Sequence, residues 1–330
     1  MSDDTGRAVA VLGAGTMGAQ IALSLALGGC PVRLWARRSE SLAAARKRVE
    51  ADLDFVIGSA LADPTERDAT LARIIPVEDL GAAVSGCRFV IEAIVEDLAV
   101  KQELLSRIEA LADDDAVLSS TTSALSATAI QSALKRPRNF CIAHYAQPAH
   151  LVRLVEVVPG AQTSDATRDA TIALLEATGK TAVPCPDVPG FLWARIQHAV
   201  LREVASLVGR GLVTPEACDL VLKEGYGCRL PAMGAFEHAD LAGLDLMNGT
   251  AAKAVWADLA NTADPTDTPV GALFADGHTG MRSGRGFYDW RKRDAEAFKR
   301  RRDEEIVRRL KIQAGAEVTV ARDRTGKDEV

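Results

Sequence analysis

The chain has 330 residues, of which 48% are hydrophobic and 25% charged, so it is long enough to bury the cores of two ordinary domains. Its formal net charge of −6 provides no overall attraction to nucleic acid or to an acidic membrane, and we expect neither as a partner. The first residues are polar and the apolar run Ala8–Leu12 is too short for a secretion signal or a membrane span, which makes the cytoplasm the expected location.

In the first half of the chain, short apolar runs alternate with longer stretches of helical spacing. The predicted strands are Ala8–Leu12, Val32–Ala36, Phe89–Val95, Ala116–Ser119, Phe140–His144, Leu154–Val158 and Thr181–Cys185. The predicted helices are Thr16–Leu27, Ser39–Ile57, Val100–Ala112 and Thr167–Thr178. This alternation predicts an α/β domain with a parallel, doubly wound sheet.

The pattern changes at Asp187-Val-Pro-Gly190, after which helical stretches such as Phe191–Val208 and Pro215–Glu224 follow one another. We therefore expect two domains, an α/β domain over residues 1–186 and an all-helical domain over residues 187–330.

The end of the second domain has its own character. The segment Arg291–Lys311 contains ten Lys or Arg residues against five Asp or Glu, with Phe298, Ile306 and Leu310 as a narrow apolar stripe, and it predicts a largely exposed basic helix. From Gly315 onward the sequence is polar enough for a loose tail.

A glycine-rich turn, Gly13-Ala-Gly15-Thr16-Met17-Gly18, follows the first predicted strand and opens the first predicted helix. Gly13 permits a tight turn, Gly15 lets the backbone approach a pyrophosphate, and Gly18 lets helix and strand pack closely. The N–H groups at the helix start, around Thr16 and Met17, are free to bind phosphates. The turn therefore predicts a Rossmann-type domain that binds NAD or NADP.

The end of the second predicted strand bears on the choice between these cofactors. An acidic residue is usual there as a partner for the adenosine ribose, but this chain has Ala36 followed by Arg37 and Arg38. Two arginines can bind a 2′-phosphate, which favours NADP. The alternative is that both are solvated and that NAD binds with one contact fewer.

His144 and Glu156 form the clearest candidate for acid–base chemistry. His144 ends a predicted strand at the edge of the sheet where ligands bind in such folds, and Glu156 lies in the next strand among apolar residues. A carboxylate there would be costly to bury without a partner, and an imidazole is the obvious one. In that pairing Glu156 would orient His144, which would take a hydroxyl proton as hydride leaves for the nicotinamide.

From about residue 8 to 290 the sequence resembles the 3-hydroxyacyl-CoA dehydrogenase superfamily. The matching segments occur in the order of that family: Gly13–Gly18, Val95-Glu96-Asp97, Lys101, Ser119–Ser123, His144–Pro148, Leu154–Val158, Val188-Pro-Gly-Phe191 and Gly284-Arg-Gly-Phe-Tyr288. The helical part resembles the gulonate and hydroxybutyryl-type branch.

The resemblance implies roles for several residues. His144 and Glu156 match the catalytic pair, Ser123 matches a serine that contacts substrate beside the histidine, and Glu96 and Lys101 match positions near the nicotinamide half of the cofactor. It also implies a small-molecule substrate and a homodimer formed by the helical domain, which closes over the substrate in relatives. The expected reaction is hydride transfer at C3 of a 3-hydroxyacyl-CoA or a related 3-hydroxy acid.

Two positions depart from the family pattern. Gln147 stands where the family has Asn before proline, and Ala194 stands where the family has an Asn that holds the reacting oxygen of the substrate. Losing that donor removes a few kcal/mol of transition-state stabilisation unless another group replaces it. Tyr145, Gln147 or Ser123 could supply the hydrogen bond, the substrate could differ, or catalysis could be weak.

Of these three explanations we favour a changed substrate. A 3-hydroxyacyl-CoA is still the leading hypothesis for the substrate, and the nearest alternative is a small hydroxy acid, a sugar acid or a secondary-metabolite intermediate without CoA. A nucleotide-binding protein without catalysis is the remaining alternative, and the presence of both His144 and Glu156 argues against it. The six cysteines form no CxxC pair and no metal-type spacing, so we expect them to be reduced and expect no metal site.

Overall fold

The computed structural model describes residues 8–315. Its eight-stranded sheet has the order β3-β2-β1-β4-β5-β6-β7-β8. The strands are β1 (Val9–Leu12), β2 (Val32–Trp35), β3 (Ile74–Val77), β4 (Phe89–Glu92), β5 (Val117–Ser120), β6 (Phe140–Tyr145), β7 (Leu154–Pro159) and β8 (Thr181–Pro184). Strands β1 to β6 are parallel, whereas β7 pairs antiparallel with β6 and β8 pairs parallel with β7.

Helices connect and follow the strands. They are α1 (Thr16–Leu27), α2 (Ser39–Gly58), α3 (Arg67–Ala72), α4 (Leu80–Val84), α5 (Leu98–Leu111), α6 (Ala127–Gln131), α7 (Asp165–Ala177), α8 (Trp193–Gly209), α9 (Pro215–Leu220), α10 (Gly227–Arg229), α11 (Ala235–Ala242), α12 (Leu244–Met247), α13 (Thr250–Asp258), α14 (Pro269–Ala275) and α15 (Ala295–Gln313). A π-helical turn, Val221–Tyr226, joins α9 to α10.

The predicted strands and helices of the first half are confirmed within a few residues at their ends, and with them the doubly wound architecture followed by helices. The expectation of a parallel sheet is correct for β1 to β6 and wrong for β7 and β8. The physical reason is the short connection 146–153, because two neighbouring parallel strands need a crossover of a dozen or more residues.

The sheet has apolar side chains on both faces. In β1, Val9 and Val11 pack with α1, α2 and α7, while Ala10 and Leu12 pack with α4, α5 and α6. Successive residues of a strand point to opposite faces, so a strand covered on both sides reads as a continuous apolar run.

The described residues divide into two compact units, one of residues 8–194 with 300–315 and one of residues 195–299. The end of α15 packs on the first unit, where Val307 is buried against Val56 and Leu151. Most of the rest of that helix is exposed or half-buried, as expected. The predicted polar tail lies beyond residue 315, outside the described residues. Within residues 8–315, no helix is long and apolar enough to cross a membrane.

Candidate active site

The carboxyl ends of the central parallel strands carry most of the candidate residues. Gly13 follows β1, Glu92 ends β4, Ser120 ends β5 and His144 lies one residue before the end of β6. Because these strands are parallel neighbours, their carboxyl ends share one edge of the sheet, which is where ligands bind in open α/β folds.

The glycine-rich turn has the geometry that a dinucleotide requires. Gly13 has φ of +117°, and a Cβ there would lie 2.6 Å from the carbonyl oxygen of Ala93. A Cβ on Gly18 would lie 1.7 Å from the carbonyl oxygen of Gly13, whereas one on Gly15 would meet open space. Helix α1 starts at Thr16 without a side-chain cap, so its first N–H groups are available to phosphates. The residues present therefore fit a bound dinucleotide.

Arg37 and Arg38 lie on the surface immediately after β2. Ala36 is buried, and the backbone of Arg38 precedes α2. The two guanidinium groups are therefore accessible at the end of the strand next to the glycine-rich turn, which is the position that a ribose substituent would occupy.

His144 and Glu156 are directly opposite each other in the antiparallel pair β6–β7. Nδ1 of His144 lies 2.7 Å from Oε2 of Glu156, and Nε2 of His144 lies 3.1 Å from Oγ of Ser123. Both residues of the pair are buried, while Ser123 is exposed. Three residues that the sequence analysis named as catalytic are thus brought together.

The second carboxylate oxygen of Glu156 lies at the start of α8. Oε1 accepts hydrogen bonds from the N–H groups of Leu192 at 2.9 Å and Trp193 at 2.8 Å, and from the Cys185 thiol at 3.4 Å. Burial acts to raise the pKa of Glu156, but the hydrogen bonds from His144, Trp193, Leu192 and Cys185 outweigh it and lower the pKa. The carboxylate is therefore held ionised beside the imidazole.

The turn before α8 encloses the imidazole. Phe191 is buried, its φ is +46°, and its ring centroid lies 5.6 Å from that of His144 in an edge-on arrangement. A bulky residue in the left-handed region costs on the order of 1 kcal/mol or more, so surrounding contacts must hold it there. Asp187 supplies such contacts, since its carboxylate accepts the N–H groups of Ala127 and Thr128 at 2.9 Å.

A buried polar network lies beside the His144–Glu156 pair. Its central residue, Glu92, was not among the residues predicted from the sequence. The Glu92 side chain is 0% exposed and that of Lys101 is 1% exposed, and the two groups are 2.8 Å apart. Lys101 also lies 3.4 Å from Glu96, which accepts a hydrogen bond from the N–H of Ser123 at 3.1 Å. Glu92 is the single acid of an otherwise apolar strand, and that feature was the available signal.

Three further predicted residues do not share one place. Tyr145 is buried in the core cluster on the sheet face opposite His144, where its hydroxyl has no hydrogen-bond partner among the described residues and burial raises its pKa. Gln147 is exposed in the connection after β6. Ala194 lies in the first turn of α8, next to the N–H of Trp193 that binds Glu156.

Cysteines and metal ligands contribute little here. All six cysteines are free, and burial together with the neighbouring Glu156 raises the pKa of Cys185 to about 12. Within residues 8–315 no group of three or more His, Cys, Asp or Glu side chains could hold a metal ion.

Comparison with known families gives two adjoining matches. Residues 8–188 match the 3-hydroxyacyl-CoA dehydrogenase NAD binding domain, and residues 190–290 match the 3-hydroxyacyl-CoA dehydrogenase C-terminal domain. Together the two matches span most of the chain.

Individual relatives differ in substrate. The chain is 29% identical over 94% of its length to 5-formyl-3-hydroxy-2-methylpyridine 4-carboxylate 5-dehydrogenase of Mesorhizobium japonicum, covering 99% of that protein. It is 32% identical over 86% of its length to the human mitochondrial hydroxyacyl-coenzyme A dehydrogenase, covering 91% of that protein. A crystal structure of the pyridine carboxylate dehydrogenase, described as an NAD+-dependent dismutase, superposes with a TM-score of 0.87 at 29% identity over 94% of this chain and 100% of that one.

Proposed function

The chain belongs to the 3-hydroxyacyl-CoA dehydrogenase family, and on that premise we propose that it is an NAD-dependent dehydrogenase of a small hydroxy or carbonyl acid that carries no CoA. Its acid–base residue is His144. The observation that carries the proposal is the hydrogen-bonded series Glu156–His144–Ser123 at the carboxyl edge of the sheet.

We propose a role for each residue of that series. Since Glu156 is held ionised, its Oε2 accepts a hydrogen bond from Nδ1–H of His144, which leaves the lone pair of Nε2 facing Ser123. The substrate hydroxyl binds beside Ser123, and Nε2 takes its proton while Glu156 stabilises the imidazolium that forms. A bound nicotinamide supplies the hydride acceptor for this oxidation. In the reverse direction His144 returns the proton to the carbonyl oxygen.

The cofactor proposed is NAD, held by the Gly13–Gly18 turn and the N–H groups of Thr16 and Met17, with Glu96 toward the nicotinamide half. The match to an NAD binding domain and the NAD+ dependence of the similar crystal structure support this choice. Neither supports the NADP preference that Arg37 and Arg38 suggested. The ammonium group of Lys101 donates a hydrogen bond to buried Glu92. We propose that Lys101 therefore supports the cofactor site from below its surface.

Ala194 supports a substrate without CoA. Its methyl group offers no hydrogen-bond donor at the first turn of α8, where an Asn of the family would bind the oxygen of a 3-oxoacyl group. The nearly end-to-end match to a dehydrogenase named for a pyridine carboxylate supports the same conclusion. A 3-hydroxyacyl-CoA is the second candidate, favoured by the 32% identity to the human hydroxyacyl-coenzyme A dehydrogenase.

The test is a substrate panel with purified protein. Acetoacetyl-CoA, 3-hydroxybutyryl-CoA, the corresponding free acids and aromatic hydroxy and formyl acids are assayed with NAD(H) and NADP(H) in parallel. We expect turnover of a free acid with NAD and kcat/KM at least about tenfold lower for the thioesters, which is ~1.4 kcal/mol of transition-state binding. Faster turnover of the thioesters would replace the first candidate by the second.

A His144→Ala variant tests the acid–base assignment. Turnover should fall at least about a hundredfold while NADH binding stays unchanged, because the imidazole acts on the substrate proton and not on the nucleotide. His198→Ala is the matched control, since His198 is an exposed histidine of α8. Equal loss of turnover and of NADH binding in His144→Ala would contradict the assignment.

We also propose that the protein is a homodimer formed through residues 195–299. Among these 105 residues only Ala205 is fully buried, while Phe236, Leu241 and Trp256 are 89%, 76% and 76% exposed. Exposed apolar side chains on this scale are unusual for a monomer and mark an interaction surface. A second copy of the same chain is the occupant that the family resemblance indicates.

A further inference from the structure

We propose that Glu92 and Lys101 are positioning residues, whose buried ion pair holds Ser123 at its hydrogen-bonding distance from His144. The proposal rests on the proposed function, in which Ser123 and His144 receive the substrate hydroxyl. It adds a second support to the imidazole, since Glu156 orients Nδ1 and this network would orient the group facing Nε2.

Glu92 is fully satisfied although it is fully buried. Its Oε1 accepts hydrogen bonds from Lys101 Nζ at 2.8 Å and from the N–H of Ile94 at 2.6 Å, and its Oε2 accepts one from Ser120 Oγ at 2.7 Å. Burying two charges is costly unless they are paired and hydrogen-bonded. Well-packed apolar residues often stabilise a buried position as much as an ion pair does. Stability alone therefore does not explain why this position has an ion pair.

Two routes lead from Glu92 to the turn that carries Ser123. Through Lys101, the pair reaches Glu96 Oε2 at 3.4 Å, and Glu96 Oε1 accepts hydrogen bonds from Ser123 N–H at 3.1 Å and from the Thr122 hydroxyl. Through Ser120, whose Oγ accepts the N–H of Thr122 at 3.3 Å, it reaches the same turn from the end of β5. Both routes converge within residues 122–123.

Polar contacts hold the exposed part of the turn in place, because Thr122 is buried but Ser123 is not. Ser123 is exposed and the Glu96 side chain is 45% exposed, so apolar burial does not hold either group in place. Ordering a surface turn costs backbone entropy of about 1–2 kcal/mol per residue, which its hydrogen bonds must offset. The Glu92–Lys101 pair on β4 and α5 is the buried end of that network and anchors it.

The experiment compares Glu92→Gln with Glu109→Gln. Glu109 is another buried carboxylate on α5, and it accepts the backbone N–H groups of Lys135 and Arg136, away from Ser123. Glu92→Gln should lower kcat about tenfold to a hundredfold, because small displacements of a reacting group have effects of that size. Glu109→Gln should leave kcat unchanged even if it lowers the melting temperature.

A double-mutant cycle separates positioning from general destabilisation. If the pair acts through Ser123, Glu92→Gln should cause no further loss of kcat in a Ser123→Ala background. Additive losses in the cycle would overturn the proposal. Should Glu92→Gln fail to fold because Lys101 is left without its counter-ion, Glu92→Gln with Lys101→Met removes both charges and serves in its place.

Long-range proton–nitrogen NMR of the five histidines reads the contact without turnover. The His144 Nε2 resonance in Glu92→Gln should move toward its position in Ser123→Ala and should not move in Glu109→Gln. An unmoved Nε2 resonance would overturn the positioning role even in an active enzyme. If instead the resonance moves but no substrate of the panel is turned over, the proposed function fails while the positioning role stands.

Discussion

In the proposed function, Ala194 is the residue on which the choice of substrate depends most. Its Cβ lies in the first turn of α8, beside the N–H group of Trp193 that binds the Glu156 carboxylate. An amide at this place could reach the oxygen on which charge develops, and such donors contribute about 3–4 kcal/mol to catalysis where they are present. The methyl group of Ala194 offers no such donor.

Ala194→Asn should therefore raise kcat/KM for acetoacetyl-CoA by about tenfold or more, since it supplies the missing donor. The measurement is steady-state kinetics on the thioester and on the free acid of the panel. Ala199→Asn, the same change at an exposed position further along α8, is the control. If Ala194→Asn gains nothing on thioesters, the missing donor does not set the preference.

Glu156 predicts how stability depends on pH. Its pKa in the folded protein lies below the ordinary value of 4.5, so its contribution to stability is present above that value and is lost as pH falls through the folded pKa. The difference in unfolding free energy between the natural protein and Glu156→Gln should be fully present above about pH 4.5 and should shrink as pH falls from there through the folded pKa. Urea unfolding across this range measures it, with exposed Glu103→Gln as the control. A constant difference would mean that the carboxylate is not held ionised.

At the scale of the element, the turn between β1 and α1 separates folding from cofactor binding. Gly15→Ala places a methyl group in open space and Gly18→Ala places one on the carbonyl of Gly13. We expect Gly15→Ala to change the unfolding free energy by less than about 1 kcal/mol and yet to weaken NADH binding about tenfold, because the backbone must approach the pyrophosphate there. Calorimetry and NADH titration test this.

Two comparisons give that test its controls. Gly18→Ala should lose both stability and binding, and Gly58→Ala at the end of α2, where a Cβ also meets nothing, should lose neither. If Gly15→Ala binds NADH with the affinity of the natural protein, the dinucleotide does not approach this part of the backbone.

The same scale shows what the sequence could predict. Strands β1, β2, β4, β5 and β6 are short, mostly apolar runs between helical stretches, and local pattern suffices to find them. Strand β3 has Pro76 and pairs only with β2 at the sheet edge, so its pattern was too weak. Tyr145 follows His144 in a strand, so alternation alone placed it on the other face, and that signal was overlooked.

The network around Glu92 could not be derived in the same way. Glu92 lies on β4, whereas its partners Lys101 and Ser120 lie on α5 and β5. Only the folded geometry shows that all three meet. The pairing of His144 with Glu156 could be inferred from the cost of burying a carboxylate alone. The N–H groups of Leu192 and Trp193, which also bind this carboxylate, belong to no motif that was recognised in the sequence.

At the scale of the whole molecule, the two units differ in how they bury apolar surface. The first unit has one extensive cluster of buried apolar side chains on each face of its sheet. The second unit, residues 195–299, leaves Phe236 and Trp256 exposed. Burying a large apolar side chain stabilises by about 1.5–3 kcal/mol, so a few such residues suffice to drive association.

Leu241→Asp on α11 should therefore shift the protein from dimer to monomer and lower its thermal stability, because it places a charge in the proposed interface. Sedimentation velocity over a range of concentrations is the measurement. Glu103→Asp on α5 of the first unit is a control that should leave the oligomeric state unchanged. A natural protein that sediments as a monomer at every concentration would contradict the proposed homodimer.

The antiparallel register of β6 and β7 has a consequence for how the protein could be redesigned. Backbone ladder bonds between the two strands hold His144 opposite Glu156. In the connection 146–153, Gln147 is exposed whereas Ala149 and Leu151 are buried, so Gln147 is a position that could be exchanged to admit new molecules while the ladder holds the pair in register. Selection for altered specificity could act at this position and leave the proposed acid–base pair as an inherited constant.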